Sequence, residues 1–358
     1  RGRAASLVAR RAPEGFDKVF FTNAGADANE NAMRAARLFT GRDKILSSYR
    51  CYHGNTGAAI SATGDWRRKP NDYSRGHVHF FTPYLYRSEF SATTQEEECE
   101  RALAHLEHVI QFEGPDTIAA VLLESVPGTA GIIIPPKDYF KGVREITKKY
   151  SILMITDEVM AGFGRTGFWF ALDDYDYTPD IISFAKGCNS GYVPAGGVIM
   201  SGPVAHRFDD IVFPGGLTYS GHPLAMGAIV ATQEAMEEEH IVDNALHHRQ
   251  GRARPAAHRS VRQAPEDRRG SRQGRVLGRG NGCRPHHQGA AGRRHDEADR
   301  GRRRQARPDS RRAQQPHPRH SSLRHLRRRG DPGRRDPRPG ADRGRLLDWV
   351  TQWLGDGL

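Results

Sequence analysis

Two residues of this chain are placed to do chemistry together. Lys186 follows the apolar run Ile181-Ile182-Ser183-Phe184-Ala185, and Asp157 closes the run Ile152-Leu153-Met154-Ile155-Thr156. Short uninterrupted apolar runs are what strands buried on both faces look like, and in a parallel sheet all such strands finish at one edge. An amine at that edge can condense with an aldehyde to form a Schiff base. A carboxylate at the same edge can keep an aromatic ring nitrogen protonated, which turns the ring into an electron sink. The bland alternatives are a surface lysine that snorkels and an aspartate that caps a helix. Lys186 is the last lysine in the chain, so no later one can take its place.

Other residues sit at comparable positions. Ala24-Gly25-Ala26 is a turn of small residues between a strand-like run and a helix-like run. Backbone can approach a ligand closely there, and a phosphate would meet the positive end of the helix dipole. Read alone, it is an ordinary strand-to-helix turn. Tyr52-His53-Gly54 follows the next strand, and its aromatic ring could stack on a flat cofactor or simply pack in a loop. Glu124 ends the apolar run 118–123; it is either a paired buried carboxylate or an exposed one at the rim. Val159, two residues past Asp157, could cover a ring face. Thr218, in Leu217-Thr218-Tyr219-Ser220-Gly221-His222-Pro223, could donate to a phosphate, or it could belong to the turn that starts a helix. The stretch Gly162-Phe163-Gly164-Arg165-Thr166-Gly167 fits neither nucleotide-binding glycine fingerprint.

These positions need a scaffold, and residues 1–248 supply its pattern. Lys18–Thr22, Lys44–Ser47, 118–123, 152–156, 181–184 and 195–200 read as strands. Between them, Asp27–Phe39 reads as a helix with Ala28, Ala32, Ala35, Ala36 and Phe39 on one face and Asp27 as its N-cap. Thr94–Phe112 reads as a helix with Leu103, Leu106, Val109 and Ile110 inward, and 138–150 as another. Alternating apolar strands and helices predict an α/β fold, its mostly parallel sheet covered by helices on both faces. Ligands of such sheets bind at the carboxyl ends of the strands.

The charge balance divides the chain. Residues 1–248 hold 24 Lys+Arg and 31 Asp+Glu, a net −7, whereas 249–345 hold 30 Arg, no Lys and 9 Asp+Glu, a net +21. That second segment has no aromatic residue and only five branched aliphatics, Val261, Val276, Leu277, Leu323 and Leu326. It cannot bury enough apolar surface to offset its chain entropy, so it is expected to be disordered or to be a coding region translated out of frame. The tail 346–358 regains helical amphipathicity through Leu346, Trp349, Val350 and Trp353. Taken literally, the +21 segment suggests nucleic acid, but its lack of aromatics argues against base stacking. Cys51, Cys99, Cys188 and Cys283 match no metal spacing and no disulfide scaffold, which favours a reducing cytoplasm. No apolar stretch approaches the ~20 residues of a membrane helix. Arg1-Gly2-Arg3-Ala4 has neither an initiator Met nor a signal-peptide core, so the sequence is expected to begin inside a longer protein.

Six strings stand in order and spacing: FTNAGADANENAMRAAR (21–37), YHG (52–54), LLESV (122–126), ITDEVMAGFGRTG (155–167), PDIISFAKG (179–187) and TYSGHPLA (218–225). Together they resemble the class III aminotransferases, of the ω-amino acid:pyruvate type, a branch of the fold-type I pyridoxal-phosphate enzymes. The resemblance covers roughly 10–248. It implies the large domain of that fold, with pyridoxal 5′-phosphate as cofactor. Gly25 and Ala26 would hold the phosphate, and Tyr52 would stack on the ring with His53 beside it. Glu124 would join the hydrogen-bond network, Asp157 would pair with the ring nitrogen, and Val159 would pack on the ring. Lys186 would carry the cofactor and shuttle the proton. Thr218 would reach the phosphate of a neighbouring subunit, which implies a homodimer. The partners implied are an amino donor and a 2-oxo acid acceptor, and neither a membrane nor a metal. Aminomutase or decarboxylase chemistry, or an inactive fragment, would fit the same motifs. Asp27 stands where the family has Glu. The family's N-terminal segment is expected to be missing, and 249–345 cannot pack as the family's C-terminal small domain, which supplies an arginine for the substrate carboxylate.

Overall fold

The structure is a computed structural model and describes residues 1–71 and 74–256; the segments 257–345 and 346–358 lie outside the described residues. Among the described residues the seven strands are β1 (Lys18–Thr22), β2 (Lys44–Ser48), β3 (His77–Phe80), β4 (Ile118–Glu124), β5 (Leu153–Asp157), β6 (Ile181–Ala185) and β7 (Gly196–Met200). They form one sheet in the order β1-β7-β6-β5-β4-β2-β3. β3, β2, β4, β5 and β6 run parallel, and β7 is antiparallel to both β6 and β1. Because β7 is reversed, β1 points the same way as β6, and Thr22 shares Gly196 as partner with Ala185. The ends of β1, β4, β5 and β6 therefore lie along one edge.

The helices are α1 (Gly2–Ala9), α2 (Gly25–Thr40), α3 (Gly57–Ala62), α4 (Gln95–Glu113), α5 (Tyr139–Lys149), α6 (Leu172–Tyr175), α7 (Gly202–His206), α8 (Pro223–Glu238) and α9 (Ile241–Ala256). Successive residues of a strand point to opposite faces, and two cores follow from that. Met154 and Ile182 pack with residues of α1, α4, α5 and α8, whereas Ile155 and Ile181 pack with those of α2, α3 and α7. Each strand from β4 to β7 is buried along its whole length. That is why their sequences read as unbroken apolar runs rather than as alternations.

α2 fixes the depth of the site. Its inward residues Ala28, Ala32, Ala35 and Ala36 are fully buried, and side chains this small let the helix lie close against the sheet. Asp27 is not its N-cap. The helix begins two residues earlier, with Ala24 as cap, and the Asp27 carboxylate instead accepts the Asn23 N–H at 3.2 Å. α9 runs past residue 248 to Ala256, and Arg249 pairs with Asp174 at 2.6 Å while donating to the Thr166 carbonyl.

At the opposite edge of the sheet one side chain joins three segments. Arg42 Nη1 donates to the carbonyls of Ser151 at 2.9 Å and Ile118 at 3.2 Å, joining the segments that lead into β2, β4 and β5.

Ala32→Leu should overpack the α2–sheet contact and lower the unfolding free energy by about 1–3 kcal/mol. Urea unfolding of the full chain checks this, and an unchanged midpoint would mean that α2 has room to move away.

Candidate active site

The centre of the strand-end edge is Asp157, the last residue of β5. It pairs in register with Glu124 of β4 on one side and Ser183 of β6 on the other. A buried carboxylate is costly unless donors surround it, and here they come from three places. His53 Nδ1 donates to Asp157 Oδ2 at 2.8 Å, Asn29 Nδ2 donates to the same oxygen at 2.7 Å, and the Val159 N–H donates to Oδ1 at 2.9 Å. Asn29 is held in turn: its amide also donates to the His53 carbonyl, and its Oδ1 accepts the Ser183 hydroxyl at 2.6 Å. Burial opposes a charge on His53, but Cys51 and Asp157 outweigh it and raise the imidazole well above its ordinary value. The cation so favoured beside Asp157 is the stabilising arrangement for a buried carboxylate. His53 Nε2 is buried with no partner among the described residues.

Glu124 is buried rather than at the rim. It accepts the Tyr52 N–H at 2.8 Å and the Gly128 N–H at 3.1 Å. Burial pushes it up to about 7, with Asp157 adding to the rise and His53 opposing it.

The residues after these two carboxylates point the other way and grip each other. Ser125 Oγ donates to Glu158 Oε1 at 2.5 Å, and the backbone N–H groups of Ala171 and Leu172 complete the Glu158 shell at 2.9 and 3.0 Å. Glu124 and Asp157 thus hold their register through a clasp on the far side of the same two strand tips. Burial pushes Glu158 up to about 7, against its hydrogen bonds to Ser125, Ala171 and Leu172.

The cradle beside Asp157 is closely packed. A Cβ on Gly25 would lie 2.7 Å from Val159 Cγ1, and one on Gly54 would lie 2.6 Å from Ala26 Cβ. Glycine at both positions lets the N-terminus of α2 sit directly between Val159 and the loop that carries Tyr52 and His53. Lys186 follows β6 and is exposed, three residues beyond Ser183, so its backbone stands about 10 Å past Ser183 in the direction of the strand. Its φ of 41° lies in the left-handed region, a strained conformation that clusters at functional sites.

Gly25, Ala26, Tyr52, His53, Glu124, Asp157 and Val159 are thus tied together by hydrogen bonds and close packing, with Lys186 at the same edge. Thr218 is exposed in the segment before α8; nearby, Ser220 Oγ donates to the Phe21 carbonyl of β1. The sequence reading missed Asn29, Ser125, Glu158 and Arg67, whose guanidinium lies 3.9 Å from the Tyr52 ring centroid. Asn29 carried a signal, as an amide beside the alanine face of α2 that must find a buried partner.

Residues 2–253 match the class-III aminotransferase family. The chain is 36% identical over 248 residues to the putrescine–pyruvate aminotransferase of Pseudomonas aeruginosa, covering 67% of this chain and 54% of that protein. It is 35% identical over 257 residues to a probable γ-aminobutyrate transaminase 4 of Oryza sativa subsp. japonica, covering 68% and 53%. Among solved structures, the taurine:2-oxoglutarate aminotransferase of Bifidobacterium kashiwanohense, in complex with PLP and glutamate, matches with a TM-score of 0.67 at 45% identity, over 71% of this chain and 58% of that one. An (S)-enantioselective ω-transaminase of Thermomicrobium roseum matches with 0.65 at 39% identity, over 68% and 57%. The chain spans about half the length of the curated relatives it matches.

Ser125→Ala should cost about 1–3 kcal/mol of stability by leaving Glu158 short of a donor. The sign follows from Glu158 itself. Its pKa is raised in the folded chain, so it holds a proton that the unfolded chain has released between about 4.5 and about 7, and it costs stability as pH rises through that window. Above the window it is ionised and needs the hydroxyl most. Unfolding at pH 8 should therefore show a larger loss than at pH 5.5, and an equal loss at both would refute the clasp.

Proposed function

The chain belongs to the class-III aminotransferases, and we propose that it binds pyridoxal 5′-phosphate at the Asp157–Lys186 edge and transfers an amino group from an ω-amino acid or related amine to a 2-oxo acid such as pyruvate. The observation that carries this reading is the buried Asp157 carboxylate. Among the described residues, Oδ2 is taken by His53 and Asn29, while Oδ1 receives only the Val159 N–H and keeps a free acceptor position. A protonated pyridine nitrogen is the partner that such an oxygen suits. The close cradle of Gly25, Val159, Ala26 and Gly54 suits a flat ring with a phosphate at the start of α2.

When bound, the cofactor supplies an aldehyde carbon and an electron-accepting ring. The remaining work belongs to this chain. His53 and Asn29 hold Asp157 in place, so that Asp157 keeps the proton on the ring nitrogen. Gly25 and Ala26 offer backbone N–H groups to the phosphate. Tyr52 and Val159 pack against the ring, and Glu124 fixes the Tyr52 backbone. Lys186 Nζ would hold the cofactor and, once the donor amine takes its place there, would be free to move the proton at the carbon that bears that amine. Donor and acceptor use this site in turn, which predicts parallel lines in initial-rate plots.

A homodimer is part of the reading. Ile211, Val212, Tyr219 and Leu224 are exposed apolar side chains around Thr218. A second copy covering them would let Thr218 reach the partner's phosphate. We propose a cytoplasmic location, which the free, buried thiols of Cys51, Cys99 and Cys188 support; no described helix is long and apolar enough to cross a membrane.

Purified full chain mixed with pyridoxal 5′-phosphate and reduced with borohydride should carry the cofactor's mass on the Lys186 peptide. Lys186→Ala should carry none and should lose about 10²–10⁴-fold in turnover. Label on both proteins would reject Lys186 as the attachment point. Label without amino transfer to pyruvate would favour a mutase or a decarboxylase. Sedimentation of the labelled protein should give twice the chain mass, and a monomer would remove Thr218 from the site.

A further inference from the structure

Arg67 is a charged group beside this edge to which the reading above gives no task. Its guanidinium lies over the face of the Tyr52 ring, 3.9 Å from the centroid. Asp65 fixes it there: Arg67 Nε donates to Asp65 Oδ2 at 2.8 Å, Nη2 bonds to the same oxygen, and the Arg67 N–H donates to Oδ1 at 2.8 Å. Asp65 thus takes the Nε side of the fork. The Nη1 side has no hydrogen-bond partner among the described residues, and the side chain keeps 35% of its surface exposed. One end of Arg67 is therefore anchored on a ring of the candidate site while the other faces solvent.

The electrostatics give this position a purpose. Tyr52 stands at the strand-end edge, its N–H donating to Glu124, which pairs in register with Asp157. An amine donor that also carries an acid group brings a second charge to the mouth of the site, and that charge is costly to desolvate unless a cation meets it there. A guanidinium is the group suited to that task, because its planar N–H fork matches the paired oxygens of a carboxylate or a sulfonate. A fork already held by an aromatic face and a carboxylate loses little freedom when it binds.

We propose that Arg67 is a specificity-determining residue that receives the acid group, carboxylate or sulfonate, at the far end of the amino donor. The inference rests on the transamination reading for the identity of the ligand, and on the Tyr52–Arg67–Asp65 arrangement for the place. It separates acidic ω-amino donors from neutral amines of the same length.

The test uses the full chain with pyridoxal 5′-phosphate added, and acids that lack an amine and so cannot react. Propanoate and ethanesulfonate are titrated by calorimetry, with propan-1-ol as the neutral control. The wild type should bind both acids in preference to the alcohol. Arg67→Gln should weaken the acids about 10–100-fold, the loss of a charge-assisted pair, and Arg67→Lys should recover part of it. Acid binding that is absent, or that is indifferent to Arg67→Gln, would overturn the proposal. In turnover, the ratio of kcat/KM for 3-aminopropanoate over 1-aminopropane should fall at least about tenfold in Arg67→Gln. Equal losses on both donors would mark a structural role instead and overturn the proposal as well. Acid binding that depends on Arg67 in a protein that transfers no amino group would sustain this inference while sinking the transamination reading.

Discussion

A carboxylate among apolar strands survives only where donors surround it, and much of this molecule's strand-end edge is organised to meet that demand at Asp157. His53, Asn29 and the Val159 N–H converge on its two oxygens. Each is held by something else. Asn29 is oriented by Ser183 on the neighbouring strand, and the His53 N–H donates to Thr63 at 3.0 Å. Asn29 reaches Asp157 only because α2 lies close on the sheet, which its alanine face permits. Composition of one helix face, depth of the helix and position of a reactive oxygen are one chain of causes.

The same economy governs the loops. Glu30, one residue past Asn29 on α2, accepts the Thr56 hydroxyl and the Ala58 and Ala59 N–H groups at 2.7–3.1 Å. It satisfies donors that the start of α3 would otherwise leave bare, and it ties the Tyr52–His53 loop to the helix that carries Asn29. On the far face, Ser125 and Glu158 fasten β4 to β5. Side-chain alternation lets two consecutive residues do opposite jobs: Glu124 and Asp157 serve the candidate site while Ser125 and Glu158 hold the frame. An acidic pair at a strand end, as in Asp157-Glu158, is therefore not a redundant charge.

Much of this was legible in the sequence because buried parallel strands write themselves as apolar runs. β4, β5 and β6, the alanine face of α2 and the inward face of α4 follow from that, and so does the placement of Glu124, Asp157 and Lys186 at strand ends. What failed had physical reasons. β3 is only four residues long, with two histidines in it, too short and too polar to show a period. The reversal of β7 was invisible because an apolar run reads the same in either direction. Asp27 looked like a cap because caps are recognised by residue type, whereas the helix start was set by the small turn at 24–26. Arg67 carried no signal, since a basic residue in a polar loop is ordinary until a ring is found beneath it. The change of composition after residue 248 does not coincide with the end of α9, because one helix can cross it while Arg249 finds Asp174.

Arg42 gives the sheet two edges with different duties. At its own edge a single guanidinium gathers the carbonyl that opens β4 and one that precedes β5, and no residue assigned to the candidate site lies there. Sequence drift at that rear margin would register as shelf life and yield on expression rather than as altered choice of reactant. A laboratory wishing to toughen the scaffold would work at the rear, keeping Arg42, and leave the front untouched; one wishing to redirect it must do the reverse.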